Sequence, residues 1–379
     1  MFMDVSSEMI HAILPAFLVT TLGASMTLVG LIEGLSESAT AVTKVFSGAI
    51  SDWLGKRKLL AVIGYALGAL SKPIFAVAVT PFEVLGARLA DRVGKGIRGA
   101  PRDALVADIT PPEIRGAAYG LRQSLDTVGA FGGPMLAIML LSWVTHDPRT
   151  VFWLAVIPGA IAVLLLVLGV EDSRKGPAEP LAPAIRVLAR WRTLTAGYWA
   201  VVAVGVVFTL ARFSEAFLVL RGQEAGLPLA FLPAVLIVMN MVYAVTALPA
   251  GSLSDRMDRR IVLAASLIAL IFADLVLAFW GSIAGVLTGV ALWGLHMGLS
   301  QGLLAALIAD TSPRALRGTA FGVFNLLSGA AMLIASLIAG FLWEAFGASS
   351  TFLAGAGFSA VTLAGLVALG LARRRARQS

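Results

Sequence analysis

The sequence predicts an all-α integral membrane protein that crosses the bilayer twelve times. Three observations carry this prediction. Apolar stretches of about 20 residues follow one another along the chain, only 13% of its 379 residues are charged, and the mean hydropathy is +0.89. The runs 150–170 and 261–280 are apolar on every face, whereas the strands of a membrane β-barrel alternate, so the spans are expected to be helices. This composition excludes an ordinary water-soluble enzyme.

The spans are expected where polar residues, Pro or Gly interrupt the apolar runs. The twelve predicted spans are 2–23, 28–50, 59–80, 82–107, 116–142, 150–170, 199–221, 228–250, 261–280, 283–309, 318–343 and 350–371. The first run holds Asp4 and Glu8 and has no basic segment before it. It is therefore expected to be a retained helix and not a cleaved signal peptide.

Lys and Arg are concentrated in the loops that follow even-numbered spans and in the tail, and the opposite loops hold little beyond Arg149 and Arg221. The positive-inside rule therefore predicts that both termini and the loop 171–198 are cytoplasmic. We expect a multi-pass protein of the bacterial cytoplasmic (inner) membrane. The net charge of +7 is interpreted as membrane topology and not as nucleic-acid binding.

Two motifs recur at nearly the same offset. Ala104–Asp108 reads Ala-Leu-Val-Ala-Asp and recurs 202 positions later as Ala306–Asp310, and Ser51-Asp52 recurs 203 positions later as Ser254-Asp255. Duplicated halves of one orientation predict two six-helix bundles related by pseudo-two-fold symmetry, with a site expected between them.

The predicted domains follow from this duplication. They are an N-terminal bundle over 1–170, a cytoplasmic interdomain loop over 171–198, and a C-terminal bundle over 199–379 that ends in a basic cytoplasmic tail.

Specific motifs then point to a family. Between spans 2 and 3 the chain reads Gly48-x-x-x-Asp52-x-x-Gly55-Lys56-Arg57, and a degenerate copy between spans 8 and 9 contains Gly251, Asp255 and Arg259. Span 5 contains Gly129-x-x-x-Gly133-Pro134. The loop motif resembles that of the major facilitator superfamily, and the span-5 motif resembles the antiporter motif of its 12-helix proton-coupled exporters. Ala137-Ile138 stands where the family pattern continues with Gly-Gly.

The resemblance implies alternating access, in which two bundles rock about a central site. It also implies that Asp52 and Asp255 latch the cytoplasmic side, because a carboxylate is stabilised by a helix N-terminus or a nearby Arg. The alternative is that the adjacent Lys and Arg only fix the topology.

Ionisable residues at membrane depth supply the candidate coupling sites, because each is costly to insert. Glu8 and His11 lie one turn apart on span 1, and Asp91 lies on span 4. Carboxylates and histidine exchange protons, so we expect these three residues to couple transport to protons.

The substrate candidates come from both halves. Arg88, Arg92 and Lys95 lie on one face of span 4, which lines the central cavity in the family, and they are expected to bind an anionic group. The alternative is an internal salt-bridge network with Asp91 and the acids of spans 1 and 2, and the two roles are compatible. Candidates in the C-terminal half are Asn240, Tyr243, His296 and Gln301. Arg122 and Asp126, one turn apart on span 5, are expected to be a structural charge pair.

Several classes of site are not expected. The chain has no Cys and three His, so neither a thiolate site nor a structural metal site is predicted. Residues 94–99 match G-x-G-x-x-G but lie within a predicted membrane helix instead of a βαβ unit, so no nucleotide cofactor is inferred. We expect no cofactor, no catalytic residue and no ATP drive.

The predicted function is a secondary active transporter that exports a small organic solute, anionic or amphipathic, in exchange for protons. The alternatives are proton-coupled uptake of an anionic metabolite or siderophore and, less favoured, transport of a transition-metal ion. The expected partners are the solute, protons and membrane lipid, without nucleic acid, and the chain is expected to be monomeric.

Overall fold

The computed structural model of the protein describes residues 1–54, 56–111, 114–170, 194–300, 302–313 and 316–378. Within these ranges every regular element is a helix. The helices of the first half are α1 (Phe2–His11), α2 (Leu14–Thr20), α3 (Met26–Leu54), α4 (Arg57–Val77), α5 (Pro81–Ile109), α6 (Arg115–Trp143) and α7 (Pro148–Gly169).

The helices of the second half are α8 (Ala196–Leu210), α9 (Ala216–Glu224), a 3-10 turn (Leu229–Phe231), α10 (Pro233–Arg256), α11 (Arg259–Phe279), α12 (Ile283–Ser300), α13 (Leu303–Thr311), α14 (Arg317–Phe346) and α15 (Ala348–Gln378). The all-α membrane prediction is confirmed.

Helix starts follow capping chemistry that is visible in the sequence. Thr80 precedes Pro81, its hydroxyl accepts a hydrogen bond from the Glu83 backbone N–H at 3.3 Å, and Glu83 reaches back to the Thr80 backbone N–H at 3.3 Å. This reciprocal capping box starts α5. At the start of α7 the Asp147 carboxylate accepts a hydrogen bond from the Arg149 backbone N–H at 3.0 Å, and Pro148 occupies the first helical position.

Among the described residues, nine helices are long and apolar enough to cross a membrane, compared with twelve predicted spans. The predicted spans that fall short are 28–50, 82–107 and 199–221. The first two are continuous helices, but acids and bases lower their hydropathy. The third is interrupted, since α8 ends at Leu210 and α9 begins at Ala216.

Three predicted spans are broken helices. The first breaks between α1 and α2, just before Pro15, and the seventh breaks between α8 and α9. The tenth breaks before α13, where Gly302 has a φ of +71°, a left-handed conformation that suits glycine. A break inside a membrane frees backbone groups that need polar surroundings, and such breaks accompany binding sites in transporters. Here Glu8 and His11 lie at the first break, and Arg212 and Glu215 lie at the second.

The described residues form two compact units. The first contains Met1–Ala24, Leu35–Arg186 and Pro228–Ala234. The second contains Ser25–Gly34, Val187–Leu227 and Val235–Ser379. The segment Ser25–Gly34 of this second unit contains the first nine residues of α3, so the division between the units falls within that helix.

In the first unit, α4 and α5 pack with their backbones in close contact. Gly64 and Gly94 face each other, and a Cβ atom added at Gly94 would lie 2.6 Å from the Gly64 carbonyl oxygen. Gly96 lies against Thr43 of α3 in a similar way. Two of the three glycines of the 94–99 motif therefore serve helix packing. Elsewhere in the first unit, Phe152 of α7 packs edge-on against Phe17 of α2, with ring centroids 5.2 Å apart.

In the second unit, an aromatic core joins α9, α12, α14 and α15. Phe213, at the break before α9, contacts Trp293 at 5.9 Å and Phe352 at 5.6 Å between ring centroids. The start of α3 belongs to this unit too, where Glu33 is 1% exposed and accepts a hydrogen bond from Ser214 at 3.2 Å. Glu33 is thus a buried acid with a polar partner.

Replacing Gly94 by Ala should destabilise the protein by about 1–3 kcal/mol, because the new methyl group forces the backbones of α4 and α5 apart. Gly86→Ala in the same helix is the matched control, since nothing lies within 4 Å of its added Cβ. That control should be neutral or stabilising, because Ala favours a helix. Thermal unfolding in detergent measures both, and equal behaviour of the two variants would contradict the close packing.

Candidate functional site

Glu8 and His11 at the end of α1 form the first part of the site. The Glu8 Oε2 atom lies 3.4 Å from the His11 Nδ1 atom. The Glu8 side chain is 20% exposed and the His11 side chain 11%. The positive charges of Lys95 and Arg92 act on the Glu8 carboxylate. The structure thus brings together two predicted proton carriers and two predicted anion-binding residues.

Glu37 of α3 completes this group. Its carboxylate lies 3.2 Å from the Arg92 guanidinium, which is almost fully buried, whereas Glu37 itself is partly exposed. Lys95 is exposed. We call Glu8, His11, Glu37, Arg92 and Lys95 the Glu8 cluster. The cluster contains two carboxylates, two cations and a histidine. Its Lys95, Glu8 and Glu37 side chains are at least partly accessible from outside the packed helices.

Asp91, the third predicted proton carrier, lies in a closed environment. Its Oδ1 atom is 2.7 Å from the Lys72 Nζ atom, and Lys72 also donates a hydrogen bond to the Ser7 hydroxyl at 2.9 Å. Lys72 is 1% exposed and Asp91 is 3% exposed. Asp91 is therefore held in a buried ion pair between α4 and α5.

Lys72 was missed by the sequence reasoning. It is the one charged residue within predicted span 3, residues 59–80. The signal that identifies it is simple, because a lone ionisable residue at membrane depth needs a partner or a function.

The cationic residues predicted to share one face of span 4 differ in their burial and partners in the structure. Arg88 and Arg98 are 2% and 4% exposed, and the Arg98 guanidinium lies 4.9 Å from the centroid of the Tyr65 ring. Arg92 pairs with Glu37, and Lys95 faces outward. Internal pairing and an accessible cation therefore coexist along α5.

Cations and carboxylates are interleaved around α5. Lys72 pairs with Asp91, Arg92 pairs with Glu37, and the Lys95 charge acts on Glu8. The exposed Lys95 and the neighbouring Arg92 are therefore the cations placed to attract an anion at the Glu8 cluster.

The antiporter-like motif packs directly on this part of α1. Gly133 is buried, and an added Cβ would lie 2.8 Å from the Glu8 Cβ atom. Gly129 lies one turn earlier against Asp4, and Pro134 is buried beside Gly133. The motif thus holds α6 tightly against the helix that carries Glu8 and His11.

The predicted charge pair on α6 is part of a larger network. Arg122 contacts Asp126 at 3.3 Å and also Asp103 of α5 at 3.2 Å, while Arg102 lies 3.5 Å from Asp126. The Tyr119 hydroxyl donates to the Asp103 carbonyl at 2.8 Å. These contacts tie α5 to α6.

The gating motif is described in part. Arg57 forms an ion pair with Asp108, and Arg259 lies 2.7 Å from Asp310. Each pair joins the start of one helix to the repeated Ala-Leu-x-Ala-Asp segment, and the two pairs are 202 positions apart. Lys56 is exposed and precedes α4. Gly251 is exposed on α10. Gly55, the packing of Gly48 and the side chains of Asp52 and Asp255 lie outside what the structure describes.

The candidates of the second unit lie on α10 and α12. Asn240 and Tyr243 are half-buried on α10, and the Arg212 charge acts on Tyr243. His296 is fully buried, with its Nδ1 atom 2.8 Å from the Ser266 carbonyl oxygen of α11. Gln301 lies outside the described residues.

Metal ligands are not grouped in the part of the chain that the structure describes. No three His, Asp or Glu side chains there come together as a metal site. His11 contacts Glu8, and His296 contacts a backbone carbonyl. The metal-ion alternative therefore has no described ligand set.

The two pseudo-equivalent ion pairs should differ in their contribution to stability. The Asp108 side chain is 4% exposed and the Asp310 side chain 59%. Asp108→Asn should cost about 3 kcal/mol because it leaves Arg57 without its buried counter-charge. Asp310→Asn should cost about 1 kcal/mol or less, since exposed pairs contribute little. Thermal unfolding of the two variants tests the difference, and an equal loss would show that burial does not decide it.

Comparisons with known proteins agree with this architecture. The family model described as Major Facilitator Superfamily matches residues 1–242 and 220–379. An uncharacterized MFS-type transporter of Methanocaldococcus jannaschii is 30% identical over 347 residues, which cover 90% of this chain and 85% of the relative. The inner membrane transport protein YajR of Escherichia coli is 26% identical over 376 residues, 94% of this chain and 78% of that protein.

A solved structure shows the same fold. The crystal structure of the nucleoside transporter NupG aligns with a TM-score of 0.75 at 14% identity, covering 97% of this chain and 96% of that one. At this identity the likeness concerns the fold alone. With the family model spanning the chain, these comparisons confirm the predicted family: the protein belongs to the major facilitator superfamily and is a multi-pass secondary transporter of small molecules, not an enzyme.

Proposed function

We propose that this transporter exports a small organic anion or amphipathic solute in exchange for protons, across the bacterial cytoplasmic membrane. The observation that carries the proposal is the 3.4 Å contact between Glu8 and His11, beside Arg92 and Lys95. One accessible group there combines side chains that exchange protons with side chains that bind anions.

Glu8 and His11 serve as the proton-exchanging pair. They are adjacent, partly exposed and next to a helix break, and an added proton on either one changes the charge balance with Arg92 and Lys95. Competition between a proton and an anion for the same cluster couples the two fluxes. Asp91 was predicted to share this role. Because it forms an ion pair with Lys72, we propose that it contributes through the electrostatic effect of its charge on Arg92.

Lys95 and Arg92 hold the solute. Lys95 is exposed and offers a mobile cation, and the Arg92 guanidinium is oriented by Glu37. Arg88 is buried and supports the positive field of α5 from inside the packing. In the second unit, Asn240 and Tyr243 are the accessible polar side chains that we propose for solute contact.

Export is supported by the antiporter-like motif and its packing. Gly129 and Gly133 bring α6 into direct contact with α1, so a movement of α6 is transmitted to Glu8. Proton-coupled uptake of an anionic metabolite or siderophore is the second candidate, because Arg92 and Lys95 attract an anion whichever way it moves.

The remaining organisation is proposed from sequence patterns. The bundles 1–170 and 199–379 rock during alternating access, the loop 171–198 and both termini are cytoplasmic, and Asp52 and Asp255 latch the cytoplasmic side. The relative from Escherichia coli is named an inner membrane protein, which supports the location.

Glu8→Gln should abolish solute transport driven by a pH gradient, because the amide cannot exchange a proton, while solute exchange without a gradient persists. The measurement uses proteoliposomes with an internal pH dye, challenged with a panel of organic anions. Glu224→Gln is the control, since it removes a carboxylate that is exposed at the end of α9. Wild-type pH-driven flux in Glu8→Gln would remove Glu8 from the coupling scheme.

Lys95→Gln should weaken binding of organic anions by about tenfold, the loss expected for one charge-assisted contact, and leave neutral analogues almost unaffected. Thermal-shift titration of purified protein with matched anionic and neutral compounds gives both affinities. An equal loss for neutral analogues would instead assign Lys95 a structural role.

A further inference from the structure

A cavity of about 80 Å³ lies in the second unit. Its walls are apolar side chains from α8, α13 and α15, among them Ala200, Val204, Leu304 and Leu366. Arg260 of α11 is the one charged residue of the lining. The cavity is therefore a hydrocarbon-lined space with a single cation.

The helices place this cavity at one membrane face. Residues 197–204 lie in the first half of α8, and Arg260 lies in the first turn of α11. Leu304 belongs to the last part of predicted span 10, and Leu366 to the second half of α15. The starts of spans 7 and 9 and the ends of spans 10 and 12 share one side, which the positive-inside rule predicts to be cytoplasmic. Along α8 the lining extends about 10 Å.

Arg260 has no partner within the described part of the chain. Its backbone N–H donates to Asp258 at 3.0 Å, but no hydrogen bond or ion pair of its guanidinium is formed with any described residue. The equivalent residue of the first half, 202 positions earlier, is Lys58, which donates to the Val167 carbonyl at 2.8 Å. The two halves therefore use this position differently: the Lys58 amine reaches a backbone carbonyl, and Arg260 lines a cavity.

We propose that this cavity binds an anionic phospholipid of the cytoplasmic leaflet, with a segment of one acyl chain along α8 and the headgroup phosphate on Arg260. An apolar cavity at membrane depth is favourably filled by hydrocarbon. A guanidinium at the edge of the hydrocarbon region is stabilised by an anionic partner, and its planar donors match phosphate oxygens in pairs. The Arg260 charge and the apolar lining together favour a lipid whose headgroup carries a net negative charge.

The test compares two phospholipids that share acyl chains and differ in charge, phosphatidylglycerol and phosphatidylcholine. Native mass spectrometry of the purified full chain counts bound lipid during titration with each. Wild-type protein should bind one phosphatidylglycerol about five- to tenfold more tightly than phosphatidylcholine, as expected for one cation at an anionic lipid.

Variants assign that preference to the cavity. Arg260→Gln should abolish the preference, and Arg260→Lys should restore part of it. Arg259→Gln is the matched control, because it removes the same charge from the same helical turn at an exposed ion pair outside the cavity lining. Ala200→Phe should fill the cavity and lower binding of both lipids.

Two results would overturn the proposal: equal binding of the two lipids by the wild type, or an unchanged preference in Arg260→Gln. If Ala200→Phe does not fold, the Arg260 variants still test whether the cavity is responsible for the preference for phosphatidylglycerol. No transport is measured, so the outcome is independent of the proposed coupling mechanism.

Discussion

The cost of placing charge inside a membrane is the constraint on which the rest of this structure depends. Each ionisable side chain there needs a counter-charge, a hydrogen-bond partner or access to water. The Lys72–Asp91 pair at 2.7 Å and the Arg92–Glu37 pair at 3.2 Å meet this need within the first unit. Most of these charges are paired. The candidate site is therefore defined by the few charged side chains that stay accessible, above all Lys95 and Glu8.

The helical fold was predictable because hydropathy reports it directly. Apolar runs at membrane length leave helices as the expected spans, and the 202-position offset of Asp108 and Asp310 revealed the duplication. The breaks at 12–13 and 211–215 were not predicted. The residues there stay apolar enough for a continuous run, and a break depends on partners supplied by other helices. The charged stretches 28–50 and 82–107 show the reverse case, since they form long helices despite low hydropathy.

The candidate site was predictable only where its residues share one helix. Spacing of three or four placed Glu8 with His11 and Arg92 with Lys95. Contacts between helices carry no such local signal, so Lys72 opposite Asp91 and Arg57 opposite Asp108 were missed. The sequence repeat could have revealed the Arg57–Asp108 pair, because both residues recur 202 positions later as Arg259 and Asp310.

The contact between Gly133 and the Glu8 Cβ atom has a mechanical consequence. The Glu8 Cβ atom lies so close to the α6 backbone that a methyl group at position 133 does not fit between them, so this part of α1 is expected to move together with α6. Access to the Glu8 carboxylate from either side of the membrane is then changed by displacement of the α1–α6 pair relative to the helices that surround it.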